Sequence, residues 1–225
     1  MRFDAIAFDL DGTLYPNPRL YLAAFPGMAR KARRFLAFNA ARHALRKRGA
    51  ELPRGADAPA DGPSFRAAEA ALVAERLGIE ADSAAALVDR EFYDELEGLF
   101  ARVRPYRGLK SALNELARAG LRLALLSDLP PKRKLALMGL SGFFEVELCS
   151  EDTGFLKPAA EPFAMLASSM GLPPERILYV GNSSRIDVRG AKAAGMSAAL
   201  ISLRASPEAD LSFYDWRKLV AFALS

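Results

Sequence analysis

The chain has 225 residues, of which 51% are hydrophobic and 26% charged, and its formal net charge is +4. This is the composition of an ordinary globular protein with enough residues to bury a full core, and it contains no apolar run long enough to span a bilayer. A single cysteine, Cys149, excludes a disulfide framework, and the N-terminus starts directly with a strand instead of a secretory signal. We therefore expect a cytoplasmic protein.

The first predicted element is a buried strand that ends in two aspartates. The sequence I-A-F-D-L-D-G-T-L, from Ile6 to Leu14, is an apolar run that reaches Asp9 and Asp11 and stops at Gly12. Ligands bind at the carboxyl ends of strands in open α/β sheets, and two converging carboxylates repel each other unless a cation such as Mg²⁺ offsets them. An Asp-Gly turn that merely closes a strand is the alternative.

Residues 15–104 carry helical patterns and no convincing strand. The first helix is predicted from apolar residues at helical spacing and is followed by a glycine- and proline-rich stretch, 49–63, that predicts a flexible loop. A second helix is predicted over 64–77 with a stop at Gly78, and a third starts at Asp82 as N-cap. The apolar positions of the first helix are Phe25, Met28, Ala32 and Phe35.

The first of these helices is strongly basic. Between Gly12 and Ala50 there is no acidic residue, whereas nine lysines and arginines occur there, most of them in the block from Arg30 to Arg48. Such a block can be a solvated helix face, a surface that steers anions, or a contact for nucleic acid or membrane. A solvated face is the first expectation, and His43 within the block is expected at the surface without a role.

From Pro105 onward, predicted helices and strands alternate. Such alternation predicts a parallel, doubly wound sheet of the Rossmann-like α/β class, with helices on both faces. An aromatic-rich helix face is predicted at the C-terminus. The predicted elements are helix 109–119, strand 121–126, helix 131–138, strand 144–148, helix 161–170, strand 176–180, a helix ending at 194, a last strand 198–201, and a helix face of Phe213, Trp216, Val220 and Leu224.

Polar residues with no reason to lie in a core follow the later strands as well. Ser127 ends the strand at 121–126, and Asn182 and Asp187 follow the strand at 176–180. Lys157 lies in a loop that leads into a helix. In isolation, Ser127 could be a simple helix cap and Lys157 part of a plain helix start.

Taken in order, these segments resemble the four motifs of the haloacid dehalogenase superfamily of phosphohydrolases. The matching segments are D-L-D-G-T, a hydrophobic strand that ends in serine, K-P, and G-N-S-S-R-I-D, and they span residues 9–187. The resemblance implies an α/β core made of residues 1–14 and 105–225, with residues 15–104 inserted as an all-helical cap domain. It also implies a Mg²⁺-dependent phosphomonoester hydrolase that acts on a small phosphorylated metabolite.

The resemblance further implies a role for each motif residue. Asp9 is expected to be the nucleophile that forms an aspartyl phosphate, and Asp11 the acid that protonates the leaving group and then activates water. Ser127 and Lys157 are expected to bind the phosphoryl oxygens. The expected Mg²⁺ ligands are Asp9, the carbonyl of Asp11, and Asp187 or Asn182.

Two positions depart from the family pattern. The motif with Ser127 commonly continues with asparagine, where this chain has Asp128, and the family commonly has aspartate at the position of Asn182. Asn182 offers only a neutral oxygen, so Asp187 is expected to be the stronger metal ligand. Asp128 is expected either to point toward the cap or to disfavour highly anionic substrates.

Three other functions are compatible with parts of the sequence. A dehalogenase of the same fold usually lacks the second aspartate and the metal, so Asp11 argues against it. A phosphosugar mutase uses the same residues and is not separated from a phosphatase. A nucleic-acid- or anion-binding protein with a vestigial site would use the block from Arg30 to Arg48, although the complete motifs disfavour it. The sequence predicts neither the particular substrate nor the oligomeric state.

Overall fold

A computed structural model describes residues 2–18, 20, 31–51 and 64–225. Within them, one parallel sheet has the strand order β3-β2-β1-β4-β5-β6. The first strand lies in the interior of the sheet, where Phe8 is in register with Leu125 on one side and with Val180 on the other. The strands are β1 Ala5–Phe8, β2 Arg122–Ser127, β3 Val146–Cys149, β4 Ile177–Gly181, β5 Ser197–Ile201 and β6 Leu211–Phe213.

Helices cover both faces of this sheet. Successive residues of a strand point to opposite faces. Ile6 and Phe8 therefore join one core cluster with the helices at 109–118 and 216–224, while Ala5 and Ala7 join a second cluster with the helices at 160–170 and 189–193. The predicted Rossmann-like α/β fold class is therefore confirmed. The helices are α1 Ala32–Glu51, α2 Phe65–Leu77, α3 Ala81–Val88, α4 Leu109–Arg118, α5 Lys132–Leu137, α6 Ala160–Met170, α7 Arg189–Ala193 and α8 Trp216–Leu224.

The described residues from 15 to 104, which precede α4, contain helices and no strand. We call this part the helical insertion; α3 continues in it through a π-helical stretch, Asp89–Glu95, a short helix, Leu96–Gly98, and a 3₁₀ turn, Leu99–Arg102. The insertion has a hydrophobic cluster of its own, in which Phe38 stacks on Phe92 with ring centroids 4.1 Å apart. No helix in the described parts of the chain is long and apolar enough to cross a membrane.

Several predicted boundaries in the insertion need correction. Helix α1 continues to Glu51, so the predicted loop cannot begin at residue 49, and its remaining part, 52–63, lies outside the described residues. Phe25 and Met28 of the predicted apolar stripe also lie outside them. Asp82 is not an N-cap, because α3 begins at Ala81 and Asp82 lies in its first turn, where a carboxylate is favourable near the helix dipole.

The C-terminal part contains one strand that was not predicted. Residues 198–201 were expected to form the last strand, but Leu211–Phe213 adds β6 at the edge of the sheet. Phe213 therefore lies in a strand and not on the predicted helix face. Helix α8 begins after Asp215, whose side chain accepts a hydrogen bond from the Arg217 amide. Three residues are too short to show the alternation by which strands are predicted.

Candidate active site

Asp9 follows β1 directly and is held in place by two hydrogen bonds to its carboxylate. One oxygen, Oδ2, accepts a hydrogen bond of 2.6 Å from the Thr13 hydroxyl, and the other, Oδ1, accepts one of 2.8 Å from Lys157 Nζ. Its backbone amide still donates to the Val180 carbonyl, so the residue is fixed by the sheet itself. Asp9 is 6% exposed and lines a cavity at this edge of the sheet.

The turn after Asp9 needs the glycine that was predicted to end the strand. Gly12 has a φ of +86°, in the left-handed region that favours glycine. A Cβ atom at this position would lie 2.0 Å from the side-chain nitrogen of Asn182. This close approach allows Asn182 Nδ2 to donate a 3.2 Å hydrogen bond to the carbonyl of Asp11. The ends of β1 and β4 thus meet at Gly12.

Lys157 is the cation to which the carboxylates converge. The residue is 1% exposed, and its ammonium group donates to Asp9 at 2.8 Å, to Asp187 Oδ1 at 2.9 Å and to the Tyr179 hydroxyl at 2.9 Å. Burial raises the pKa of Asp9 to about 7, although the charge of Lys157 lowers it. Burial lowers the pKa of Lys157, but the carboxylates of Asp187 and Asp9 outweigh it and raise that pKa well above its usual value.

Asp187 reaches Lys157 from the turn after β4. Its second oxygen, Oδ2, accepts hydrogen bonds from the backbone amides of Asn182 at 3.2 Å and Ser183 at 3.0 Å. Gly181 makes this turn possible, because a Cβ atom there would lie 2.2 Å from the Cβ of Asp187. The carboxylate is therefore buried, oriented and linked to Asp9 through Lys157. Its expected role as a metal ligand stays a prediction.

Asp11 turns its side chain toward two donors that the sequence analysis missed. The Tyr15 hydroxyl donates to Oδ1 at 2.8 Å, and Lys134 Nζ lies 2.9 Å from Oδ2 and 3.2 Å from Oδ1. Lys134 is 3% exposed, whereas Lys132 of the same helix is exposed. The segment K-R-K offers three cations, and its sequence does not show which one faces inward; the apolar Leu135 beside Lys134 was the available hint.

Ser127 lies at the end of β2, where it was predicted, and is fully buried. Its hydroxyl oxygen accepts a 3.2 Å hydrogen bond from the Leu129 amide, so in this structure it caps the turn that follows the strand. The phosphate-binding role expected for Ser127 stays a prediction. Capping the turn and binding phosphate would both use Ser127 at the same position at the edge of the sheet.

The other predicted residues line one cavity of about 340 Å³ at the carboxyl edge of the sheet. Lys134 and Tyr15 line it as well. The opposite wall comes from the helical insertion, which contributes mainly aromatic and aliphatic side chains together with two arginines. The predicted site residues in the cavity are Asp9, Asp11, Lys157, Asn182 and Asp187, and the apolar wall includes Phe35, Phe38, Leu96 and Phe100.

The two arginines of that wall correct the interpretation of the basic block as a solvated face. Arg42 is 6% exposed, and its Nη1 donates to Glu69 at 2.8 Å, within the insertion, and to Glu151 at 2.6 Å, in the loop after β3. Arg46, one turn later on α1, donates to the Lys157 carbonyl at 2.8 Å. A helix that packs against acidic groups of the core buries its cations, and sequence alone does not show this.

Asp128 connects these arginines with Lys157. One carboxylate oxygen pairs with Arg46 at 2.8 Å, and the other accepts the backbone amide of Lys157 at 3.1 Å. Burial opposes its ionisation, but Lys157 and Arg46 lower the pKa of Asp128 below its usual value. The expectation that Asp128 points toward the cap is thus correct. An asparagine here would have no charge to pair with Arg46.

Among the remaining cations of the block that the structure describes, Lys31 and Arg34 also take part in ion pairs. Lys31 and Arg34 both contact Glu91, at 3.3 Å and 2.6 Å, and Lys31 also reaches Glu95 at 2.7 Å. His43 is exposed, as expected. Arg30 lies outside the described residues.

The raised pKa of Asp9 leads to a prediction about the stability of the protein. The fold favours the neutral form of this buried carboxyl, so its ionisation destabilises the protein progressively as the pH rises from about 4 to above about 7. Asp9→Asn should therefore raise the melting temperature of the chelator-treated protein by roughly 3 °C or more at about pH 8.5, and by nothing measurable at about pH 4. Differential scanning fluorimetry measures this.

The matched control for this prediction is Asp4→Asn, one residue before β1. Asp4 pairs with Arg176, and the pairing lowers its pKa, so the substitution should give no gain at either pH. An unchanged or lower melting temperature for Asp9→Asn at alkaline pH would show that the ion pair with Lys157 fully offsets the cost of burial.

Comparison with known proteins adds independent observations on the family to which the chain belongs. A family model of haloacid dehalogenase-like hydrolases matches residues 3–195. Glyceraldehyde 3-phosphate phosphatase of Methanopyrus kandleri is 29% identical over 204 residues, which cover 85% of this chain and 81% of that protein. N-acetylmuramic acid 6-phosphate phosphatase of Pseudomonas aeruginosa is 27% identical over 206 residues, which cover 89% of this chain and 82% of that protein.

Shorter matches and solved structures agree with this result. Glyceraldehyde 3-phosphate phosphatase of Methanothermobacter thermautotrophicus is 37% identical over 106 residues, 46% of this chain, and the match spans 47% of that relative's length. The structure of L-2-haloacid dehalogenase RSc1362 has a TM-score of 0.69 at 23% identity and covers 100% of both chains, a likeness that shows the fold alone. Because the family model matches most of the sequence, the chain belongs to the haloacid dehalogenase-like hydrolases.

Proposed function

We propose that this chain is a Mg²⁺-dependent phosphomonoester hydrolase that acts on a small phosphorylated metabolite through an aspartyl phosphate at Asp9. The observation that carries the proposal is the placement of two aspartates in one cavity in different environments. Asp9 is buried against Lys157, whereas the Asp11 side chain is 31% exposed toward the cavity. The relatives named as phosphatases support this reaction class.

In the first step, Asp9 attacks the phosphorus atom and the bond from phosphorus to the ester oxygen breaks. Thr13 and Lys157 hold the carboxylate in one orientation, which reduces the entropic cost of reaching the transition state. Lys157 also stabilises the negative charge that spreads over the phosphoryl oxygens. Asp11, in its protonated form, gives its proton to the departing oxygen, so that the leaving group departs as an alcohol.

In the second step, Asp11 has become a carboxylate and can take a proton from water. The resulting hydroxide attacks the phosphorus atom, the bond between phosphorus and Asp9 breaks, and inorganic phosphate forms. Asp9 is regenerated as a carboxylate. Each residue therefore returns to its starting state after one turnover, which a hydrolase requires.

The donor groups at this sheet edge fit Mg²⁺. In the described parts of the chain, no three histidine, cysteine, aspartate or glutamate side chains are close enough together to hold a metal by themselves. Mg²⁺ commonly uses only one or two carboxylates and takes its other oxygen ligands from water and substrate phosphate. Asp9, the Asp11 carbonyl and Asp187 would hold it, and the ion would neutralise charge on the phosphoryl group.

Asn182 is the weaker candidate ligand. Its side-chain nitrogen donates to the Asp11 carbonyl, so its oxygen faces elsewhere in this arrangement. Asp187 keeps lone pairs available on both oxygens, although each already accepts at least one hydrogen bond. This difference supports Asp187 as the anionic ligand.

The helical insertion is proposed to act as a cap domain of residues 15–104 on a core of residues 1–14 and 105–225. Its apolar wall faces the two aspartates across the cavity, and a covered site strengthens electrostatic interactions by excluding water. Arg42 and Arg46 bind the insertion to core loops that carry Glu151 and Asp128. The size of the cavity favours a small leaving group.

The function is tested by measuring phosphate release from a panel of small phosphomonoesters, with Mg²⁺ or with a chelator. We suggest glyceraldehyde 3-phosphate, phosphoserine, phosphoglycolate and N-acetylmuramic acid 6-phosphate. Turnover should require Mg²⁺ and fall at least ~10³-fold in Asp9→Asn, because an amide is not a competent nucleophile. Asp4→Asn, a control one residue before the start of β1, should keep its activity. Chloride release from 2-chloropropionate, with no phosphate release from any ester, would favour a dehalogenase instead.

The metal assignment is tested without turnover. Mg²⁺ added to chelator-treated protein should raise its melting temperature, because a ligand that binds only the folded state stabilises it. Asp187→Asn should remove most of this shift, whereas Asn182→Asp should keep or increase it. An unchanged shift in Asp187→Asn would reverse the assignment of the two residues.

A further inference from the structure

Lys134 is a buried cation that the reaction described above does not use. Its side chain enters from α5, close to the Phe100 ring, whose centroid lies 5.1 Å from Nζ. A lysine that is 3% exposed is costly unless its charge is paired. Its ammonium group is hydrogen-bonded to both carboxylate oxygens of Asp11. The side chain is thus directed at the residue expected to transfer protons.

Tyr15 restrains the same carboxylate from another direction. Its hydroxyl donates to Oδ1 of Asp11 at 2.8 Å, and its ring is fully buried edge-on against Phe100, with centroids 5.3 Å apart. Asp11 therefore has donors from two separate segments of the chain, one after β1 and one on α5. Two such donors fix the plane of a carboxylate, which one donor alone does not.

We propose that Lys134 is a positioning residue that orients the Asp11 carboxyl group for proton transfer to the leaving group. The inference rests on the role proposed for Asp11 in the hydrolysis of phosphomonoesters. General acid catalysis typically contributes about 10²- to 10⁴-fold to a rate, and a misplacement of about 1 Å can remove about 10²-fold. If the Asp11 side chain were free to rotate, it could still donate a proton, but it would lose part of this contribution to the rate.

If Lys134 only stabilised the fold, replacing it would change stability more than catalysis. Methionine has nearly the length of lysine and would fill the space beside Phe100 without a charge. Removing one member of a buried ion pair is costly when the remaining charge is left buried, but the Asp11 side chain is 31% exposed and can be solvated. Lys134→Met should therefore change catalysis more than stability.

The experiment compares two substrates that differ in their need for an acid. Aryl phosphates such as p-nitrophenyl phosphate have a good leaving group, whereas alkyl phosphates need the proton. Lys134→Met should lower kcat at least ~10-fold for an alkyl phosphate and no more than ~3-fold for the aryl phosphate. Lys132→Met, an exposed lysine of the same helix, is the matched control and should leave both rates unchanged.

A double-mutant cycle then separates positioning from general damage. If Lys134 acts through Asp11, Lys134→Met should cause no further loss in an Asp11→Asn background, because the group that it orients is already gone. Equal losses on both substrates, or losses that add to those of Asp11→Asn, would overturn the inference. Should Lys134→Met fail to fold, Tyr15→Phe decides by the same substrate comparison, with a smaller but still selective loss expected.

The same data distinguish the inference from the proposed function. If Asp11→Asn slows alkyl phosphates selectively and neither Lys134→Met nor Tyr15→Phe does, only the positioning role is wrong. If Asp11→Asn itself affects both substrates equally, Asp11 is not the acid, and the inference falls together with that assignment.

Discussion

The arrangement of the site depends on one buried charge, the ammonium group of Lys157. A lysine that is 1% exposed remains charged only if carboxylates come to it, and here they come from the turns after two neighbouring strands. Asp9 follows β1 and Asp187 lies in the turn after β4, so the parallel register of these strands brings the two carboxylates together. The same burial raises the pKa of Asp9 to about 7, which is the electrostatic cost of placing this carboxyl group in the interior.

A second set of charges fixes the helical insertion to the loop that carries Lys157. Asp128 accepts the Lys157 amide and pairs with Arg46, while Arg42 reaches Glu151 in the core. The position of the insertion over the cavity and the position of Lys157 are therefore set by shared contacts. Removing one partner of a buried ion pair typically lowers the free energy of unfolding by several kcal/mol. These contacts therefore favour one orientation of the insertion.

The sequence predicted the parts of the fold in which short-range patterns are strong. The apolar runs before Asp9 and Ser127 defined β1 and β2, and because parallel strands end at one edge, they also indicated where the candidate site lies. It could not predict that Arg42 and Lys134 are buried, since each belongs to a run of cations and the inward-facing one is selected by packing against distant acids. The short edge strand β6 was missed for want of a periodic pattern.

The central claim is that Asp9 becomes covalently phosphorylated during turnover, and it is tested most directly by trapping that species. Protein mixed with an aryl phosphate and Mg²⁺ is quenched with acid within the first turnover, digested and analysed by mass spectrometry. We predict that the peptide containing Asp9 gains the mass of one phosphoryl group, and that Asp9→Asn protein gains none. Phosphate release without any labelled peptide, or a label on a different residue, would contradict the account.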